Sequence, residues 1–468
     1  MKTFKVIATV LLLASGVFAE KAALPKDLPA YGPEKPLQTP SVKVSKLDNG
    51  LTVWLVSQPG FPKLAFTLAV HGGLASDPAD RPGISELLSN TIDQGTKTRT
   101  AKQIAEEIQA TGGDLIAGSG KDATTLLTEV LSSKADAAIT LLADLAQNAT
   151  FPENEVVLAK RNLADSLRQQ EADPSFLADR QMARVLFGEN PYHVTSPTQE
   201  SITAATSAEL QKIYAQRFRP DQALLVAVGD FDNDKLLAQV KTKFGTWKAG
   251  NEAPISTPSR FSSTMKPTVH LIPRPDSVQT TLELGTLGPV RSDPDYPASQ
   301  VANAIFGGAF GSRLTLNIRE DKGYTYSPYA SLQTYVATGV LTAQADVRNE
   351  VTAASFNEMV YELNRMATTS PTEEELATAK RYLVGLEAIR LQIRSSVARE
   401  LSRLWIYGLP PEEIGENGKK IASITGTDVD AVAKKYFPAR NLAIVAVGEE
   451  KVVRDAFEPF GLTVEAGH

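Results

Sequence analysis

The chain has no cysteine and only four histidines among its 468 residues. Without cysteine there can be no disulfide, thiolate nucleophile, zinc ribbon or iron–sulfur cluster, so any metal would have to be held by His, Asp or Glu. Positive charge is not in excess and forms no block. The 48 Lys+Arg are outnumbered by 54 Asp+Glu, for a formal net charge of −6, which argues against an electrostatic footprint for nucleic acid. No apolar run approaches the ~20 residues that a membrane crossing needs, so no stable membrane insertion is expected. What is present is a globular composition, 42% hydrophobic and 22% charged, in a chain long enough for two or more domains.

Residues 1–19 carry Lys2 and Lys5, then the apolar run Val6 to Leu13, and close on Gly16-Val17-Phe18-Ala19. This is the order of a secretory signal peptide. The run is too short for a membrane anchor, and no cysteine follows it to take a lipid. An exported protein is therefore expected, with the periplasm as its compartment. Residues 20–41 are expected to form an extended N-terminal arm, since Ala23 to Pro40 is rich in Pro and Lys and has no hydrophobic period.

From Val42 the pattern becomes ordered. Leu51 to Val56 and Leu64 to Val70 read as strands separated by Gln58-Pro59-Gly60. Helical patterns follow at about 83–94, 101–111, 132–147, 153–170 and 175–186, and Ala223 to Val228 restores a strand before a helix at 234–244. The second half repeats this order. Ser76-Asp77-Pro78 recurs as Ser292-Asp293-Pro294, an offset of 216, and Phe218 with Ala223 to Gly229 recurs as Phe437 with Leu442 to Gly448, an offset of 219. Nearly equal offsets at opposite ends of a half indicate duplication of a whole domain. The expected organisation is one domain at 42–249, a Pro- and Ser-rich linker at 250–267 and a second domain at 268–468. Strands followed by runs of helices make each an α+β domain.

Four segments then carry a family resemblance: His71 to Pro78, Gly83 to Thr96, Asn190-Pro191-Tyr192, and Gly307 to Leu314 running into Arg319 to Tyr326. Their order and spacing resemble the M16 metallopeptidases, the pitrilysin-like inverzincins, in their short-chain bacterial branch. The resemblance implies two tandem homologous domains with the mitochondrial-processing-peptidase-like fold, each a mostly antiparallel sheet packed with helices. In that family one helix carries H-x-x-E-H, whose two imidazoles share a face and grip zinc while the Glu serves as general base, and a Glu on a later helix completes the ligand set. Registered on Gly83 and Gly95-Thr96, this chain has Glu86, Ser89 and Asn90 at those positions, and Ser166 lies 80 residues after Glu86 at the downstream one. Ser89 cannot act as a carboxylate base, and Asn90 and Ser166 are weak zinc ligands. This half is expected to be catalytically dead and to hold no zinc. His71, His193, His270 and His468 show no paired helical spacing. Glu86, Asp93 and Asp165 could serve a hard cation only if they converged, which their spacing does not ensure; a solvated or chamber-facing surface is expected instead.

The second half keeps a different motif. Arg319 and Tyr326, seven residues apart, resemble the family's pair that reaches the zinc site of the opposing domain. A phenol O–H can stabilise a developing oxyanion, and a guanidinium can hold the peptide backbone. Tyr324 would face the other way if this segment is a strand, and taken alone Arg319 could simply close a helix before Gly323. Gly307, Gly308, Phe310 and Gly311 lack the Gly-Lys-Ser/Thr ending of a phosphate loop and read as a flexible, substrate-adjacent loop. The resemblance to heterodimeric members implies a partner subunit with H-x-x-E-H that holds the zinc, no cofactor in this chain, and unfolded peptides as substrates. The competing expectation is a purely structural or peptide-binding pseudoenzyme.

Overall fold

The computed structural model describes residues 38–250, 253, 255, 259–261, 267–437 and 442–467. The expected signal peptide, most of the expected arm and most of the expected 250–267 linker lie outside the described residues. Two six-stranded sheets organise the remainder. The first comprises β1 (Lys43–Lys46), β2 (Thr52–Ser57), β3 (Lys63–His71), β4 (Asp114–Ser119), β5 (Ala123–Leu131) and β6 (Ala223–Gly229), in the order β1-β2-β6-β3-β5-β4. The second comprises β7 (Thr268–Pro273), β8 (Gln279–Gly288), β9 (Tyr329–Thr334), β10 (Gly339–Arg348), β11 (Ala443–Gly448) and β12 (Thr463–Ala466), in the order β12-β7-β11-β8-β10-β9.

Replacing β2-β6-β3-β5-β4 by β7-β11-β8-β10-β9 turns one sheet into the other. Only the outermost strand differs: β1 enters from the N-terminal side, antiparallel to β2, whereas β12 enters from the C-terminal side, parallel to β7. The remaining parallel pairs are β2/β6 and β7/β11, and all others are antiparallel. The α+β architecture of two homologous units is thus present.

The central strands explain the uninterrupted apolar runs. In β6, Ala223, Leu225 and Ala227 face the first half's own helices, while Leu224, Val226 and Val228 face the other way, into a second apolar cluster. In β11, Ile444 and Ala446 face one core and Ala443, Val445 and Val447 the other. A strand buried on both faces needs apolar side chains at every position rather than at alternate ones.

What covers the second face comes from the opposite half. The Pro174–Phe187 helix packs against β8 and β11, burying Ala178, Met182, Leu186 and Phe187 on the second sheet. The Arg394–Ile406 helix packs against β3 and β6, burying Val397, Leu401 and Leu404 on the first. Each fully buried Leu or Phe contributes roughly 1.5–3 kcal/mol, so these two exchanged helices are a large part of what joins the halves. The first is started by Asp173, which accepts from the Ser175 N–H, with Pro174 at the first helical position.

Two sequence motifs find structural roles here. Asp77, from the repeated Ser-Asp-Pro, forms a fully buried ion pair with Arg217 at 2.8 Å, and Ser85 bonds to both. At the position equivalent to Arg217 the second half has Tyr436, which donates at 3.1 Å to Asp295, two residues after the motif's Asp293, beside Lys435. Tyr192, from Asn-Pro-Tyr, donates to Asp122 at 2.6 Å and accepts the Ala337 N–H at 3.2 Å, and Asp122 also accepts the Val336 N–H at 3.0 Å. That set of bonds ties the first half to the turn between β9 and β10.

Candidate functional site

The helix expected at 83–94 is Ile84–Thr91, and it packs against Glu153–Glu171, which carries Ser166. Its buried side is Ile84, Leu87, Leu88 and Ile92, which turns Glu86 and Asn90 to the other side. Burial raises the Glu86 carboxyl and, with a smaller opposing bond from Gln94, the Asp93 carboxyl above their ordinary values. Ser89 is buried and its hydroxyl donates to the Glu86 carbonyl at 3.0 Å. Ser166 is exposed and takes only a 3.5 Å bond from Gln170, while Asp165 pairs with Arg168. Among the described residues, no group of three or more His, Asp or Glu side chains is arranged to hold a metal ion. One carboxylate, an amide and two hydroxyls are not the donor set that zinc selects, so these residues do not fit the group.

The histidines have local partners instead. His71 ends β3 and stacks on Trp405 of the Arg394–Ile406 helix, ring centroids 4.2 Å apart, and burial lowers its pKa. His193 Nδ1 lies 2.9 Å from the Asn190 carbonyl. His270 sits on β7, and His468 is outside the described residues.

In the second half the Tyr296–Asn303 helix runs into a widened, π-wound segment, Ala304–Gly308. A second π-wound segment, Thr315–Asp321, carries Arg319 in its last turn. Such turns are rare and recur at functional sites. Gly323, at φ 63°, takes the left-handed turn that ends this helix, with its N–H on the Arg319 carbonyl at 3.1 Å. The residues that follow are neither helix nor strand until Tyr329, so the facing of Tyr324 and Tyr326 is set by this turn and not by strand alternation.

Arg319 lies against two aromatic rings. Its Cζ lies 4.5 Å from the centroid of Tyr326 and 4.6 Å from that of Phe310. Its Nε also reaches Glu320 at 3.2 Å. Both rings are open to solvent, Tyr326 at 78% and Phe310 at 69% exposure. A guanidinium over a ring face gains about 0.5–1 kcal/mol at such a site and keeps its donors in the ring-parallel plane free for a planar acceptor. The glycine segment is not a loop throughout: Gly307 and Gly308 belong to the π-wound turn. Gly307 is buried, and a Cβ there would come 2.7 Å from Ala330 Cβ; at Gly308 it would come 2.6 Å from Asn303 Nδ2, whereas at Gly311 it would meet nothing. The first two glycines serve packing, and Ala309 to Gly311 form the exposed tip that brings Phe310 over Arg319. The stacking of Phe310 is the feature that sequence spacing missed; an exposed aromatic among glycines was its one signal.

Comparison with known proteins fits this architecture. Residues 52–195 match the family model described as insulinase (peptidase family M16), and residues 204–383 match that of the peptidase M16 inactive domain. An uncharacterized zinc protease of Rickettsia felis is 28% identical over 401 residues, covering 84% of this chain and 94% of that protein. One of Mycobacterium tuberculosis is 28% identical over 424 residues, covering 89% and 96%. The crystal structure of a peptidase M16 inactive domain from Pseudomonas fluorescens superposes with a TM-score of 0.80 at 26% identity, over 87% of this chain and 98% of that one. A protease from Helicobacter pylori shares the fold, with a TM-score of 0.82 at 18% identity over 87% and 100%. With both halves matched in order by models of one family, and the duplicated sheets shared with its solved structures, the chain belongs to the M16 peptidase family.

Proposed function

We propose that this chain is the non-zinc-binding subunit of an exported, periplasmic, heterodimeric zinc endopeptidase that cleaves unfolded peptides. The observation that carries this reading is the contrast between the halves. The ligand positions Glu86, Asn90 and Ser166 have lost their metal-binding chemistry, whereas Arg319 and Tyr326 are kept and adjacent, with Arg319 half-buried and Tyr326 open to solvent. A partner subunit with H-x-x-E-H would hold the metal. This chain's part is to bind and to stabilise: Arg319 holds a substrate carbonyl with its fixed fork of donors, and the Tyr326 hydroxyl donates to the oxygen on which negative charge grows. β9 begins three residues after Tyr326 and is the edge of its sheet, which supports holding the peptide by strand addition.

The test is co-expression with a family subunit that carries H-x-x-E-H, followed by cleavage of a quenched peptide. Cleavage should need both chains, and Arg319→Ala or Tyr326→Phe should reduce turnover without disturbing assembly. Full activity in both variants would overturn the reading. It would favour the alternative, a structural or peptide-binding member with no part in proteolysis, which the lost ligand set also supports.

A further inference from the structure

The second half contains a cavity of about 590 Å³, within the roughly 300–1,000 Å³ of small-ligand sites. It lies among the helices Tyr296–Asn303, Glu373–Arg390, Arg394–Ile406 and Glu413–Ser423. By element order, the first two of these stand in the second half where Ile84–Thr91 and Glu153–Glu171 stand in the first. The cavity therefore lies against the internal-repeat counterparts of the two helices that carry the degenerate metal positions.

Its walls carry Arg291, Arg390, Arg399 and Arg403 against Glu387, Glu400 and Glu413. Two of the three acids are paired, while Glu387 Oε2 is buried with no hydrogen-bond partner among the described residues. Glu413 is bound by Lys420 at 2.6 Å and Glu400 pairs with Arg403 at 3.5 Å. Burial, and then the charge of Glu400, push the Glu387 carboxyl up to about 7, so part of its negative charge is absent near neutrality. Arg291 rests on the ring of Tyr296 at 4.4 Å. Arg390 and Arg399 are exposed and have no ion pair among the described residues. The surplus is positive, and the cavity favours an anion.

A second observation narrows the anion. Gln300 Oε1, Asn303 Oδ1 and Asn417 Oδ1 are buried acceptors with no donor, and the Asn303 amide is oriented by its Nδ2 bond to the Ala330 carbonyl at 3.4 Å. A fully deprotonated anion such as sulfate offers only acceptors and would leave all three oxygens unsatisfied, at a cost of about 1–3 kcal/mol each, and hydrogen phosphate brings at most two O–H donors for the three. A peptide brings a carboxylate for the arginines and N–H donors for the amide oxygens.

We propose that this cavity is a peptide-carboxylate site, in which Arg390 and Arg399 take the carboxylate and Gln300, Asn303 and Asn417 take peptide N–H groups. Gly308 lines the cavity, and two residues on Phe310 stacks on Arg319. The inference rests on the function proposed above only in taking its ligand to be a peptide. The carboxylate can come from an Asp or Glu side chain or from the chain end.

Fluorescence anisotropy on the purified full chain distinguishes these sources with three labelled peptides: acidic with an amidated end, neutral with a free end, and neutral with an amidated end. At least one of the first two should bind about 10-fold more tightly than the third, a difference of ~1.4 kcal/mol, and whichever does identifies the source. Arg390→Ala with Arg399→Ala, both at exposed positions, should abolish that preference while leaving the circular dichroism unchanged. Equal binding of all three peptides, an unaffected double variant, or displacement by inorganic phosphate as effective as by unlabelled acidic peptide would overturn the proposal. If the double variant loses binding while Arg319→Ala and Tyr326→Phe are silent in the assembled peptidase, the proposed function fails and this site stands; the opposite pattern removes this site alone.

Discussion

Glu283 on β8 and Asp179 on the Pro174–Phe187 helix face each other as neighbouring carboxyls that can share a proton, inside the contact between the two halves. Burial raises both, and for Glu283 the neighbouring Asp179 adds to the effect. The native state therefore binds protons here more tightly than the unfolded chain. The penalty for ionising them is absent below the ordinary carboxylate range and grows as pH rises from there towards the raised native values, so this pair makes stability fall with rising pH. Glu283→Gln keeps a donor for Asp179 and removes one ionisation. Thermal unfolding should show a higher Tm than wild type at pH 8 and no gain at pH 4; a lower Tm at pH 8 would refute the shared-proton arrangement.

In the assembled peptidase, Tyr326→Phe should lower kcat by roughly 100-fold, the usual cost of one donor to a developing oxyanion. Phe310→Ala removes only a stacking partner of Arg319 and should cost about 2–5-fold, matching ~0.5–1 kcal/mol for an exposed cation–π contact. Steady-state kinetics on matched preparations check the ranking. A Phe310 effect as large as that of Tyr326 would mean that the ring itself binds substrate.

Metal content tests the register of the first half. Wild type should retain no stoichiometric zinc after dialysis. Glu86→His with Asn90→His places two imidazoles four residues apart on one helix face, and Ser166→Glu adds the carboxylate; this triple variant should take up about one equivalent. Elemental analysis after gel filtration gives the answer, and a metal-free triple variant would show the register to be wrong.

The buried Arg217–Asp77 pair should be the most sensitive polar contact of the first half. Arg217→Met leaves Asp77 buried and unpaired, at a cost of about 3–5 kcal/mol. In the second half, Tyr436→Phe removes one neutral donor to Asp295 and should cost about 1 kcal/mol. Denaturant unfolding of both variants checks this ranking.

The duplicated order was readable because β6 and β11, apolar at every position, repeat at almost the same offset as the Ser-Asp-Pro turns. Arg319 and Tyr326 were readable as a spaced pair for the same kind of reason. The position of Phe310 was not, since it depends on a tip folding back over a helix end nine residues later. Nor was it evident which sheet the Pro174–Phe187 helix covers: an amphipathic stripe records that a face is buried, not against what. The cavity escaped because its charges come from separate elements and become a set only on folding.

The exchange of Pro174–Phe187 and Arg394–Ile406 has a consequence for ancestry as well as for folding. A half-length chain would display the bare second face of its sheet together with a helix shaped to cover the same face on another copy. Two such copies would complete each other as a helix-swapped homodimer, and joining them end to end would yield the present topology with no new contact required. The same geometry makes each half a poor independent folder, so translation must be nearly finished before the first sheet receives its cover.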